Sequence, residues 1–193
     1  MSRPAAAAAG LILLLAACEA PAPSEPAASP APSEPAAAET APTPGPAVLG
    51  LTPAGFGRVR IGDSREEAIE VFGPDSPAVG GAEPEVCDEL SLARAPGMLF
   101  MVENGVVTRI TAIEGATVRT ERGVGVGDTA EAVRQAYPEA EPEPHKYAAA
   151  PAQYLTAWTE PGRRGIRFEI DGTGRVRMIH AGGPSIEYVE GCA

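Results

Sequence analysis

“VRIGDSREEAIEVFG” (residues 59–73) is echoed further along the chain by “VGVGDTAEAVRQAYP” (residues 124–138). In both stretches apolar residues alternate up to a Gly-Asp pair, which is followed by Ser64 or Thr129 and then by an amphipathic run. A hydroxyl side chain at this place caps the free N–H groups of a helix, and proline or Gly-Pro ends that helix. Each copy therefore predicts a short strand, a glycine turn and a capped helix.

The two predicted helices share an apolar stripe but differ in their caps. Ser64 and Glu67 form a capping box, which the second copy lacks because Ala132 stands at the position of Glu67. One apolar stripe on each helix is expected to pack on a sheet. The stripe residues are Ala68, Val71 and Phe72 in the first helix and Val133, Ala136 and Tyr137 in the second.

Strand-like sequence follows each predicted helix. In “MLFMVENGVVTRITAI”, Asn104-Gly105 lies between two apolar runs, which is the strongest short hairpin signal, and “ELSLA” is a candidate strand before it. The second copy offers “QYLTAW” and then “IRFEIDGTGRVRMI”, in which apolar and charged residues alternate across a glycine-rich turn. Both patterns predict an antiparallel meander.

These elements predict an α+β fold of two tandem units, residues 48–117 and 118–193. Each unit would run strand, helix and meander, with the short helix packed on one face of a small antiparallel sheet and the other face open. A coincidental repeat is the alternative interpretation, and it leaves the α+β class unchanged.

The N-terminal segment predicts export and lipidation. Residues 1–17 carry one cation, Arg3, and an apolar run that is too short to span a bilayer, which is typical of a signal peptide. Its end, Leu15-Ala16-Ala17-Cys18, resembles the lipobox of bacterial lipoproteins. The resemblance implies that Cys18 carries a diacylglyceryl thioether and an acylated amine such as a palmitoyl amide. An ordinary secretory signal that happens to contain a cysteine is the alternative.

A tether is predicted between the anchor and the folded part. Residues 18–47 are rich in proline, alanine and glutamate and contain no basic, aromatic or large aliphatic side chain. Such a composition cannot build a core and favours extended polyproline geometry. A proline-rich recognition segment is the alternative, but no spaced aromatic or basic anchor supports it.

The net charge limits the class of partner. The chain has a formal charge of −11 at pH 7, and its basic residues are scattered instead of forming a stripe. We therefore expect no nucleic acid partner and no adhesion of the folded part to an anionic lipid surface.

Two cysteines remain beyond the predicted anchor, Cys87 and Cys192. An even pair in an exported domain is expected to form a disulfide, which would fasten the C-terminal “EYVEGCA” to the first unit. Free buried thiols or a metal site are the alternatives. Neither histidine lies at ligand spacing from a cysteine, which counts against the metal.

No catalytic, cofactor-binding or metal-binding residue is predicted. His145 and His180 are possible general bases, but the chain has no GxSxG, HExxH or GxxxxGK[ST] motif, so a solvated or hydrogen-bonded role is favoured for both. “RGVGVGD” has glycines at the wrong spacing for a nucleotide loop and is interpreted as a turn. The acid pairs that could serve glycoside hydrolysis, if folding placed two carboxyls suitably, are Glu66 with Glu67 and Glu141 with Glu143.

“IGDSREEAIEVFG” and “VGDTAEAVRQAYP” resemble the helix-start signature of β-lactamase-inhibitor-protein-like domains and of small outer-membrane-assembly lipoproteins. The resemblance covers about fifteen residues per copy, and it implies helix-on-sheet domains that work by protein contact without catalysis. It carries over no partner-binding residue, because the shared positions shape the turn and the core.

The sequence as a whole favours an envelope lipoprotein that binds another envelope protein, as an assembly accessory or an inhibitor. Tyr147, Tyr154 and Trp158 are candidate contact anchors, with a core position as the alternative for each. Glu19, beside the anchor, is not the aspartate associated with inner-membrane retention, so the outer membrane, facing the periplasm, is preferred over the inner membrane. An envelope hydrolase and a carrier of small apolar ligands are the competing functions.

Overall fold

The computed structural model describes residues 50–76, 83–160 and 163–192, which all belong to one compact unit. The predicted signal peptide (1–17), the lipidation site Cys18 and the tether (18–47) lie outside the described residues, so those assignments stay predictions. In the part of the chain that is described, no helix is long and apolar enough to cross a membrane.

Strands dominate the described residues, with two short α-helices and one 3₁₀ turn between them. In chain order the elements are β1 (Leu51–Thr52), β2 (Gly55–Phe56), β3 (Val59–Arg60), α1 (Arg65–Phe72), β4 (Asp75–Ser76), β5 (Cys87–Leu92), β6 (Met98–Glu103), β7 (Val106–Ala112), α2 (Ala130–Ala136), β8 (Glu141–Pro144), β9 (Gln153–Glu160), β10 (Arg164–Ile170), β11 (Val176–Gly182) and the 3₁₀ turn Pro184–Glu187.

The predicted α+β class is wrong. The eleven strands form a three-stranded sheet, β1-β2-β3, and one eight-stranded antiparallel sheet in the order β4-β5-β6-β7-β11-β10-β9-β8, while the helices have only 8 and 7 residues. The chain is therefore mostly β, and it does not consist of two helix-on-small-sheet units.

The two meanders merge because their last strands pair with each other. Strand β7 pairs antiparallel with β11, placing Ile110 opposite Ala181 and Ala112 opposite Ile179, and all four side chains are fully buried. Apolar pairs that meet directly across two strands stabilise a sheet, so each meander closes the open edge of the other. The boundary predicted between residues 117 and 118 is untested by this pairing and stays a prediction.

The local predictions around the helices are confirmed. The Ser64 Oγ accepts from the Glu67 N–H at 3.2 Å while the Ser64 N–H donates to Glu67 Oε2 at 2.8 Å, which is the expected capping box. Thr129 caps α2 through its side chain, which accepts from the Ala132 N–H. The Asn104-Gly105 turn joins β6 to β7 with both residues at positive φ.

The glycines before each helix serve turns, as the sequence indicated. Gly62 and Gly127 have φ of +102° and +89°, a region in which residues with a Cβ are strained. The aspartate after each one makes the same contact: Asp63 Oδ2 accepts from the Arg60 N–H, and Asp128 Oδ2 accepts from the Gly125 N–H.

The core lies between the helices and one face of the large sheet. The ring of Phe72 in α1 lies 5.4 Å from that of Phe100 in β6, and the ring of Tyr137 at the end of α2 lies 5.0 Å from that of Phe168 in β10. The strand register places Phe100 and Phe168 on the same face, so both helices cover that face. The opposite face of the sheet is turned away from both helices.

Unusually for a sheet, the opposite face is polar and largely buried. We call it the polar face, and its members are Glu89, Arg109, Thr111, Tyr154, Arg167, Glu169 and His180. Residues 183–192, which we call the strap, run across part of this face after β11. Buried polar groups must be paired to avoid a large free-energy cost. The contacts of the strap with the polar face therefore matter for the stability of this side of the sheet.

Candidate functional site

A disulfide fastens the end of the strap. Cys87 at the start of β5 is bonded to Cys192, 105 positions later, as the sequence predicted. The other end of the strap is held by the backbone, because the Gly183 N–H donates to the Thr108 carbonyl of β7 at 3.0 Å. The strap is therefore tied to the sheet at both ends.

Arg109 holds the middle of the strap. Its Nη1 donates to the carbonyls of Ser185 and Tyr188, both at 3.0 Å, and its Nη2 donates to Glu89 Oε1 at 2.7 Å. The side chain is only 4% exposed. Burial lowers the pKa of Arg109, and the neighbouring Glu89 carboxylate opposes that shift. The guanidinium thus links strands β7 and β5 of the sheet to two backbone carbonyls of the strap.

The exposed large apolar side chains of the described residues gather beside the strap. We call this group the strap patch, and it consists of Val86 (51% exposed), Val106 (40%), Tyr147 (62%), Tyr188 (47%) and Val189 (37%). Scattered exposed apolar residues are ordinary, whereas a group of them at one place marks a contact surface. Their arrangement therefore needs a functional explanation.

Three adjoining clefts contain the whole strap patch. The first, of about 630 Å³, lies between the start of β5 and the strap and is walled by Val86, Tyr188, Val189 and the disulfide. We call it the acidic cleft, because four glutamates and one lysine also line it. A second cleft of about 560 Å³ adjoins Val106 and Tyr188, and a third of about 430 Å³ opens over the polar face beside Tyr147.

The third cleft brings both histidines to one carboxylate. His145 Nε2 lies 3.4 Å from Glu169 Oε1, and His180 Nε2 lies 4.0 Å from Glu169 Oε2. Contact with His180, and secondarily with His145, lowers the pKa of Glu169 although burial raises it. Burial lowers the pKa of His180 below its usual value. Glu169 is therefore a carboxylate shared by two imidazoles, and its pKa lies below its usual value.

Three of the four imidazole nitrogens have a hydrogen-bond partner, and the Nε2 of His180 lies 4.0 Å from Glu169. His145 Nδ1 accepts from the backbone N–H groups of Tyr147 and Ala148, at 3.1 and 3.2 Å, while its Nε2 faces Glu169. His180 Nδ1 lies 2.9 Å from the hydroxyl of Thr111, a residue only 2% exposed. These contacts favour a structural role, in which the cluster docks the segment after His145 onto the sheet, over general-base catalysis.

The predicted acid pairs are not available as pairs of free carboxylates. Glu67 is engaged in the capping box, and Glu143 pairs with the buried Arg167 at 2.7 Å. Their neighbours Glu66 and Glu141 are exposed. In residues 50–76, 83–160 and 163–192, no group of three or more histidine, cysteine or acidic side chains is placed to hold a metal ion.

The three aromatic residues predicted as contact anchors differ in how far their side chains are exposed. Tyr147 is exposed, and its hydroxyl donates to Glu190 of the strap. Tyr154 is buried between the His145 ring at 4.8 Å and the Arg167 guanidinium at 4.1 Å, and Trp158 is partly buried. Of the three, Tyr147 alone belongs to the strap patch.

Several residues of this surface went unrecognised in the sequence. Tyr188 and Val189 precede Cys192 closely, and their apolar character beside a predicted disulfide was the signal that could have found them. Arg109 and Glu89 are isolated charged residues within predicted strands. The only signal in the sequence is the alternation of side chains between the two faces of a strand, which assigns each residue to one face. A carrier of apolar molecules would need space between sheet and helices, whereas the three clefts lie around the strap.

Comparison of the chain with protein-family models, with curated proteins and with solved structures gave no match.

Proposed function

We propose that this chain is a non-catalytic protein-binding module of the bacterial cell envelope, as an assembly accessory or an inhibitor. Lipid on Cys18 holds it at a membrane, for which the outer membrane, facing the periplasm, is preferred. Its contact surface is the strap patch. The resemblance of the two glycine-turn-helix segments to lipoprotein and inhibitor domains supports this proposal, and so does the surface itself.

The observation that carries the proposal is the position of the strap patch on a covalently fastened segment. Tyr188 and Val189 are exposed on a strap that the disulfide and Arg109 hold against the sheet. A surface that is ordered before binding loses less conformational entropy when a partner docks. Tyrosine is also one of the residues that contribute most to binding at protein interfaces. A rigid apolar surface with two exposed tyrosines suits a protein partner.

The hydrolase alternative receives less support from the same geometry. The two histidines converge on Glu169, yet both Nδ1 atoms and the Nε2 of His145 face protein partners, which leaves them less able to act on a substrate. The cluster instead connects the segment that carries Tyr147 to the sheet, and so it helps to order the contact surface.

Site-specific photocrosslinking in intact cells tests the proposal. A benzophenone amino acid replaces Tyr188 in one variant and Glu131, which is exposed on α2, in a matched control. We expect position 188 to yield a crosslink to another envelope protein that position 131 does not yield. Adducts of the chain with itself alone, or identical adducts from both positions, would count against the proposal.

A further inference from the structure

We infer that the acidic cleft receives a basic, amphipathic segment of the partner protein, in which lysine or arginine side chains stand beside apolar ones. This inference rests on the proposed function, since it specifies the chemistry of the partner that docks on the strap patch. It follows from the charges, the apolar walls and the neighbouring cleft, taken together.

The charge inventory of the cleft is strongly unbalanced. Four carboxylates line it, from Glu83, Glu103, Glu187 and Glu190, against the single ammonium of Lys146. The Lys146 ammonium lies 3.6 Å from the Glu190 carboxylate, so it already pairs with one of the four carboxylates. Neither Glu83 nor Glu187 forms a salt bridge with any described residue. A cationic side chain from a partner would complete this set of charges.

The walls between these carboxylates are apolar. Val86 and Tyr188 are about half exposed, and the disulfide lies with them in the same cleft. The long methylene stems of lysine and arginine pack on apolar surface while their charged heads reach carboxylates, and a cation is attracted to the face of a tyrosine ring. The cleft therefore matches both parts of such a side chain.

The size and surroundings of the cleft indicate a polypeptide segment. Its volume of about 630 Å³ is within the range of ordinary ligand sites and exceeds what one side chain fills. The adjoining second cleft carries Arg163 and Arg164 together with Glu160 and Glu103, so its charges are mixed. The basic part of a partner would accordingly be directed to the acidic cleft and away from the second.

Two other occupants fit the charges less well. An anionic lipid surface would be repelled by the four glutamates. A second copy of this chain carries a net charge of −11, so its approach to an acidic cleft is opposed by long-range repulsion. The same negative field would speed the encounter with a basic partner.

The test uses the full lipidated protein in intact cells, with the benzophenone amino acid at Val86 on the cleft wall. Mass spectrometry then identifies the crosslinked peptide of the partner. We expect that peptide to contain lysine or arginine next to apolar residues. We also expect the double variant Glu83→Gln with Glu187→Gln to lower the crosslinking yield roughly fivefold, since two exposed charge contacts are lost.

The control variant, Glu66→Gln with Glu70→Gln, makes the same change of net charge on exposed positions of α1 and should leave the yield unchanged. An equal loss in both variants, or a crosslinked peptide that is acidic or uncharged, overturns the inference while crosslinking from position 188 still supports the proposed function. The absence of any other protein at both positions 86 and 188 overturns both.

Discussion

Replacing Arg109 by methionine should release the strap from the sheet. The substitution keeps the methylene packing but removes the donors to the Ser185 and Tyr188 carbonyls and to Glu89. It leaves the Glu89 side chain, only 16% exposed, without its cation. The perturbation therefore tests whether one buried guanidinium determines the position of the contact surface.

The expected cost follows from the burial of the pair. Breaking a buried ion pair by removing one partner costs about 3–5 kcal/mol, and the partial exposure of Glu89 favours the lower end, about 3 kcal/mol. In urea this corresponds to a shift of the midpoint by about 1.5–2 M for a domain of this size. Adding Glu89→Met should recover part of the loss, because the uncompensated carboxylate is then removed as well.

Urea unfolding followed by circular dichroism, with the disulfide intact, measures these differences. The matched control is Arg177→Met on the neighbouring strand β11, where the side chain is 61% exposed and lies 3.5 Å from Glu169, so the expected cost stays below about 1 kcal/mol. If Arg109→Met costs no more than Arg177→Met, the buried guanidinium does not fasten the strap to the sheet.

Three further predictions follow from other features. Cys192→Ser should destabilise the protein by about 2–4 kcal/mol in urea unfolding, because the bond closes a loop of 105 positions; a cost under about 1 kcal/mol would show that the other strap contacts suffice. Burial lowers the pKa of His180 in the folded state from its ordinary 6.5, so the unfolded chain binds more protons and stability falls as the pH drops below about 6.5. His180→Gln should flatten this slope between pH 7 and 5 in unfolding measurements, and an unchanged slope would contradict that assignment. Cys18→Ala should abolish the lipid mass that mass spectrometry detects on the N-terminal peptide of the native protein; a lipid mass on the N-terminal peptide of the variant would contradict the predicted anchor.

Local features of the fold could be predicted because a few neighbouring residues determine them. Ser64 and Glu67 satisfy each other's backbone groups within one helical turn, and Asn104-Gly105 adopts positive φ whatever the remote chain does. The pairing of Cys87 with Cys192 was predictable for a different reason, since only two cysteines remained once Cys18 was assigned to the anchor.

The fold class could not be derived in the same way. The antiparallel pairing of β7 with β11 depends on complementarity between Ile110 and Ala181, which are far apart in the sequence. No local sequence pattern predicts which two strands will pair. Two short helices in the sequence suggested two small sheets, whereas the shared edge produced a single sheet of eight strands.

By itself, the sequence determined the turns, helix caps, hairpin and disulfide, together with the acidic net charge on which the expectation of no nucleic acid partner rests. The tertiary structure alone decided that the strap covers a polar face, that His145 and His180 share Glu169, and that Tyr188 and Val86 wall one acidic cleft. The physical reason is the sequence separation of the interacting residues. The hydrogen bonds of caps and turns form within a few residues, but a contact surface exists only after distant strands and the C-terminal segment have packed together.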